Sequence, residues 1–254
     1  MTLSNVEVPY LDRILFLFWR PEKMSDMSVI KEVLVRKVYG KKGIRLDEGV
    51  WLDAGAHIGT FSIACRVAGC PKVFAFEPHP DNYKLLRANL ELNDITGVST
   101  HQEALVADPT APNVPMNLAP KSTSFHSTYD ARKGKKAATI SVPATYILDF
   151  LREHPEVTAI KLDVEGEEIP ILELLQCDHL QGINQMVFEW DFKRESETAR
   201  LQKVVTKLRQ CGFQVEVANA SRVNSVEHYR YWPSGILVWA KRGALAPGPG
   251  SAGV

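Results

Sequence analysis

Residues 49–64, GVWLDAGAHIGTFSIA, constrain the fold most tightly: a short apolar strand, VWLD, runs into a glycine turn that opens a helix. The order then repeats. IGTFSIACRVAG predicts a helix ending at Gly69, KVFAFE a second strand, PDNYKLLRANLELN a helix closed by Asn93, and VSTHQEAL a third strand. VTAIKLD is a short apolar run ending in charge, EEIPILELL a helix, INQMVFEW a strand, and ETARLQKVVTKLRQCG a long helix stopped by Gly212. FQVEVANA and GILVWAK close the pattern as two strands with no helix between them. Strands alternating with helices imply parallel β-α-β units and a sheet covered on both faces, an α/β fold. The last two strands should form an antiparallel hairpin at one edge.

A chain of 254 residues with 45% apolar content suffices for one such domain, expected over residues 48–241. Upstream, MSDMSVIKEVLVRKVYG sets Met27, Ile30, Val33, Leu34 and Val38 at helical spacing with Gly40 as a stop. Residues 1–47 are therefore expected to be one or two helices packed on the domain. The run ILFLFW is far shorter than the ~20 residues of a membrane helix, and neither membrane nor secretory signal is expected. The expected compartment is the cytoplasm. Residues 108–136 lack periodicity and read as a long loop on the substrate side. The basic run in that loop (Arg132, Lys133, Lys135, Lys136) reads as a solvated tip, and residues 242–254 as a disordered tail rich in Pro and Gly. Cys65, Cys70, Cys177 and Cys211 form no C-x-x-C pair and are expected as buried free thiols. Lys and Arg total 30, as do Asp and Glu, which disfavours a nucleic-acid partner.

A dinucleotide turn starting at Gly55 would need glycine at the positions held by His57 and Thr60. The register present instead is D-x-G-x-x-x-G: Asp53, Gly55 and Gly59. A carboxylate at the strand end suits an ammonium group better than a pyrophosphate. S-adenosylmethionine carries an α-ammonium and a sulfonium and no phosphate, so Asp53 is expected to face it, with helix capping as the alternative. In FAFEP, Glu77 ends the second strand ahead of Pro78, where a carboxylate accepts both ribose hydroxyls. Glu103 is expected to face the adenine amino group, with Ala104 leaving room for the ring; an exposed strand position is the alternative. His57 either hydrogen-bonds the cofactor's carboxylate or only occupies the turn.

VWLDAGAHIGTFS, VFAFEPHPDNYKLLRANLELN, ATYILDFL and IKLDVEGEEIPILELL, in this order and spacing, resemble the FkbM family of S-adenosylmethionine-dependent methyltransferases over roughly residues 48–215. The family usually has Asn at the position of His57, and often Gly soon after the helix that follows KLDVEG, where this chain reads ELLQCD. The resemblance implies a Rossmann-like class I methyltransferase fold, a seven-stranded, mostly parallel sheet with an antiparallel C-terminal hairpin. It also implies transfer to hydroxyl groups of sugars, polyketides or other small metabolites.

Methyl transfer to an alcohol needs alignment and removal of the hydroxyl proton, and open parallel sheets bind ligands at strand carboxyl ends. There, Lys161, Asp163 and Glu165 alternate and share one face of an extended backbone. Asp163 is the expected general base, with Glu165 as its orienter or the second candidate; capping of the next helix is the alternative for either. Glu189 and Asp191 with Asp163 offer oxygen ligands for a divalent cation, but the resemblance demands no metal and none is expected. His79 is expected to begin a helix, and His126 is a reserve base. Trp190, Tyr231 and Trp232 are expected in core or hairpin packing rather than against a sugar ring. The expected partner is a small molecule or carbohydrate hydroxyl. A nucleic-acid methyltransferase is disfavoured by the charge balance and the missing N-P-P-Y stretch. A silent binding module would be expected to lose Glu77 or the acids after the fourth strand, and both are present. A nicotinamide oxidoreductase is the remaining competing class.

Overall fold

The structure, a computed structural model, describes residues 2–118, 138–164, 166–190, 196–218 and 236–242. It opens with β1 (Ser4–Tyr10), β2 (Arg13–Trp19) and α1 (Met24–Ile30), which runs on as a π-helical turn, Lys31–Val35. Then follow β3 (Val50–Ala54), α2 (Thr60–Ala68), β4 (Lys72–Phe76), α3 (Pro80–Leu92), β5 (Val98–His101), β6 (Ala104–Val106) and β7 (Asn113–Leu118). The remainder is β8 (Ala138–Tyr146), α4 (Ile147–Glu153), β9 (Val157–Leu162), α5 (Glu168–Leu174), β10 (Gln185–Trp190), α6 (Ser196–Gln210), β11 (Phe213–Val217) and β12 (Ile236–Arg242).

Seven strands form the main sheet in the order β11-β12-β10-β9-β3-β4-β5. All its pairings are parallel except those of β12, which is antiparallel to both β10 and β11. The strand order reverses between β3 and β9, which leaves a crevice beyond their carboxyl ends. Side chains alternate between two cores. Leu52, Phe74, Ile160 and Phe188 pack on one face, and Trp51, Val73, Ala159 and Val187 on the other. No helix among the described residues is long and apolar enough to cross a membrane.

Four sequence expectations are corrected. Residues 4–19 are a β-hairpin, not helix; the helical spacing holds only further on, in α1 and its π-helical continuation. Leu15 and Leu17 are buried while Ile14 and Phe16 stay exposed, so β2 is apolar on both faces and its period of two is hidden. The segment read as a loop over 108–136 contains β7, which pairs antiparallel with β8. β8 in turn pairs parallel with β6, so the predicted third strand is two strands in different sheets. Cys177 and Cys211 form a disulfide that ties the turn after α5 to the end of α6, whereas Cys65 and Cys70 are buried free thiols as expected. The basic run at 132–136, His126, Tyr231, Trp232 and residues 243–254 lie outside the described residues.

The hairpin is held on the domain by two asparagines one turn apart, Asn89 on α3 and Asn93 at its C-cap. Asn89 accepts from the Phe18 amide at 2.7 Å and donates to the carbonyls of Phe18 at 3.2 Å and Ile58 at 2.9 Å. Asn93 repeats the device at Phe16, accepting at 2.9 Å and donating at 2.6 Å. Both side chains satisfy backbone groups that a third strand would otherwise pair. Replacing fully buried Asn89 by Ala strands one amide and two carbonyls, and should cost about 2–4 kcal/mol in urea denaturation. A loss below about 0.5 kcal/mol, the usual size for a surface substitution, would contradict this anchoring.

Candidate active site

The turn from β3 to α2 packs against the end of β9. Gly55 has φ +80°, and a Cβ there would lie 1.7 Å from the carbonyl oxygen of Asp163, so only glycine fits. The amides of Gly55 and Ala56 both donate to the Phe76 carbonyl at 2.9 Å. Gly59, at φ +89°, precedes α2, and a Cβ on it would meet Leu86 at 2.6 Å. His57 takes the left-handed region without being glycine, at φ 53°. Its amide donates to Glu77 Oε2 at 2.8 Å.

Asp53 is not placed as the sequence suggested. It is fully buried and does not line the crevice. Its Oδ2 accepts from Ser62 at 2.6 Å, and its Oδ1 lies 3.2 Å from Lys161 Nζ. The ammonium that this carboxylate meets is the protein's own. Lys161, 3% exposed, also donates to the Gly55 carbonyl at 2.7 Å and lies 3.5 Å from Asp163 Oδ2. Burial alone would lower its pKa, but the carboxylates of Asp53 and Asp163 more than offset this and raise it above the ordinary lysine value.

Asp163 lies at the carboxyl end of β9, with its side chain 27% exposed and lining the crevice. The Tyr39 hydroxyl donates to Oδ2 at 3.2 Å, so Tyr39 and Lys161 share one carboxylate oxygen. Burial, and then the charges of Asp163, Glu189 and Glu32, push the Tyr39 phenol well above its usual pKa, which keeps it a donor. Burial and the Asp163 charge also raise the Glu32 carboxyl. Glu168, the first residue of α5, reaches back to accept from the amides of Val164 at 2.6 Å and Gly166 at 2.8 Å in the segment between β9 and the helix. Glu165 and Asp191 lie outside the described residues. Among the described residues no group of three His, Cys, Asp or Glu side chains is arranged to hold a metal.

Across the crevice, Glu77 is 5% exposed at the end of β4. Its Oε1 accepts from the His79 amide at 2.8 Å and from Asn82 Nδ2 at 3.2 Å; its Oε2 accepts from His57. Burial pushes its pKa up to about 7 although these donors pull it down. His79 caps α3, its Nδ1 accepting from the Asp81 and Asn82 amides. Glu103 and Ala104 line the crevice between β5 and β6, and Thr145 donates to Glu103. Trp190 is fully buried in the core.

Together these groups border a crevice of about 830 Å³, open mouth included, lined also by Pro78 and by apolar Val29, Val33, Phe61, Phe76 and Met116. A concave, mostly apolar lining with a few convergent polar groups suits a small-molecule ligand. Of the site residues named from sequence, Gly55, His57, Glu77, Pro78, Glu103, Ala104, Lys161 and Asp163 come together here, and Asp53 and Gly59 support them from behind. Tyr39, Asn82, Arg20 and Asp26 were missed. The first, third and fourth come from the segment read only as packing helices, and Asn82 is one polar residue within a helix.

In the unliganded protein Glu77 keeps its proton to about pH 7, against an ordinary value of 4.5 in the unfolded chain. A raised folded-state pKa contributes stability that is complete below the unfolded value and is lost as pH rises through the folded one. Relative to Glu77→Gln, the wild type should therefore lose up to about 3 kcal/mol between acid pH and pH 8. Urea denaturation across that range measures the difference, and a flat line would contradict the buried, protonated carboxyl.

The model of the Methyltransferase FkbM domain matches residues 53–215. "Methyltransferase 1" of Beauveria bassiana is 30% identical over 214 residues, covering 77% of this chain and 84% of that protein. "Hexuronic acid methyltransferase AglP" of Haloferax volcanii is 27% identical over 169 residues, covering 64% and 66%. A solved FkbM methyltransferase from Methylobacillus flagellatus superposes with TM-score 0.47 at 15% identity, over 76% of this chain and 44% of that one. With its switch-point crevice lined by Glu77 and Asp163, this chain belongs to the FkbM family of S-adenosylmethionine-dependent methyltransferases.

Proposed function

We propose that the protein is an O-methyltransferase for a hydroxyl group of a small molecule or sugar, with Asp163 as general base. The residues of the crevice fit the cofactor. Glu77, a buried carboxylate at a strand end, would take the ribose hydroxyls, and Glu103 and Ala104 would border the adenine. Gly55, which admits no side chain, and the turn at His57 and Gly59 would take the amino-acid end. When bound, S-adenosylmethionine supplies an electrophilic methyl carbon.

The observation that carries the reading is the way Asp163 is held. Tyr39 and Lys161 both contact Oδ2, and Asp163 lines the crevice, so Oδ1 would be the oxygen that takes an incoming hydroxyl. Fixing one oxygen orients the other, and the acceptor proton passes to it as the new C–O bond forms. Val29, Val33 and Phe61 line the same crevice and give it apolar walls. Lys161 is a positioning residue here: its pKa is raised and its ammonium is committed to Asp53 and Gly55. The relative named for hexuronic acid suggests hydroxylated sugars as the first acceptors to screen.

Release of S-adenosylhomocysteine from S-adenosylmethionine across a panel of hydroxylated acceptors tests this reading. With an acceptor in hand, Asp163→Asn should lower turnover by about 10²–10⁴-fold. Calorimetric affinity for S-adenosylhomocysteine should stay within about threefold. Turnover that survives the substitution would remove Asp163 from the role of base.

A further inference from the structure

We infer that the buried Arg20–Asp26 pair is a positioning element for the cofactor: it fixes Asn82 and His57, and through them both carboxylate oxygens of Glu77. The inference rests on the reading of Glu77 as the ribose-binding group. The pair lies in the N-terminal segment, upstream of the region that matches the family.

Arg20 and Asp26 are 1% and 0% exposed. The guanidinium donates through Nε to Asp26 Oδ2 and through Nη2 to Oδ1, both at 2.8 Å, and the Arg20 amide donates to Oδ2 at 3.0 Å. Nη2 also donates to Asn82 Oδ1 at 2.8 Å. This second contact decides which way the Asn82 amide faces. A flipped amide would turn its NH2 toward the guanidinium and its oxygen toward Glu77, so only the observed orientation satisfies both neighbours. Asn82 Nδ2 thereby donates to Glu77 Oε1 at 3.2 Å.

The other arm runs through Asp26. Its Oδ1 lies 3.4 Å from His57 Nε2, which holds the imidazole on the side of the N-terminal segment. Burial depresses the His57 pKa to about 4, so the ring meets Asp26 as a neutral donor at neutral pH. Held there, His57 keeps the left-handed backbone that aims its amide at Glu77 Oε2. A buried ion pair is about as stable as apolar residues of the same volume. Stability alone therefore gives no reason for charge here, whereas the reach of both partners toward Glu77 does.

A double-mutant cycle separates positioning from packing. Arg20→Met, Glu77→Gln and the double variant are titrated calorimetrically with S-adenosylhomocysteine and with its 2′,3′-dideoxyribose analogue. Arg20→Met should weaken the first ligand about tenfold and leave the second within about twofold. In the Glu77→Gln background it should cost nothing further. Equal weakening of both ligands, or a loss that adds to that of Glu77→Gln, would overturn the inference and leave the pair a packing feature. Should Arg20→Met fail to fold, Asn82→Leu cuts the same link with the ion pair intact and carries the same expectations. An unchanged affinity in Glu77→Gln would instead overturn the ribose reading of Glu77, and the inference with it.

Discussion

The ammonium of Lys161 is the contact on which the site is built. It sits inside the protein at the switch point of the sheet, where it reaches Asp53 on β3, the carbonyl of Gly55 in the turn and Asp163 beyond β9. A buried cation is costly unless every neighbour is matched to it, and removing one partner of such a pair typically costs about 3–5 kcal/mol. Two acids and a carbonyl supply that match, and in doing so they fix the spacing between the two strand ends. The Gly55 turn closes to within a side chain's width of the Asp163 backbone, so the same constraint sets the floor of the crevice.

From this floor the crevice divides into two halves. On the β4 side, Glu77 is buried with three donors around it, and its raised pKa reflects a carboxyl that has lost water without gaining a cation. On the β9 side, Asp163 stays partly exposed, with one oxygen held by Tyr39 and Lys161. Buried and fixed on one side, open and oriented on the other, the two carboxyl groups suit different tasks. Both halves depend on the N-terminal segment. Tyr39 reaches Asp163, and the Arg20–Asp26 pair reaches Asn82 and His57. The Asn89 and Asn93 side chains keep that segment against α3.

The core of the main sheet was legible in the sequence because β3, β4, β9 and β10 carry short apolar runs, and α2, α3 and α6 because they end at Gly69, Asn93 and Gly212. Glu77, Gly55 and Asp163 were legible because they lie where strands end, a place fixed by the fold. The contact of Asp53 with Lys161 was not foreseen because the two are 108 residues apart in the chain, and a sequence pattern does not show which ammonium a carboxylate will meet. Tyr39, Arg20 and Asp26 were missed for the same reason: their partners are contributed by other elements. The hairpin escaped because β2 is apolar on both faces, and β7 because Pro115 and Asn117 interrupt its pattern. The disulfide joins cysteines whose spacing follows no motif.

In the proposed arrangement Glu77 receives the ribose while Asp163 faces the transferable group across the crevice. A crystal structure of the protein with S-adenosylhomocysteine tests it most directly. Both Glu77 oxygens should then lie within about 3 Å of the two ribose hydroxyls, with the homocysteine sulfur directed toward Asp163. A ribose held by other residues, or a sulfur turned away from Asp163, would contradict it.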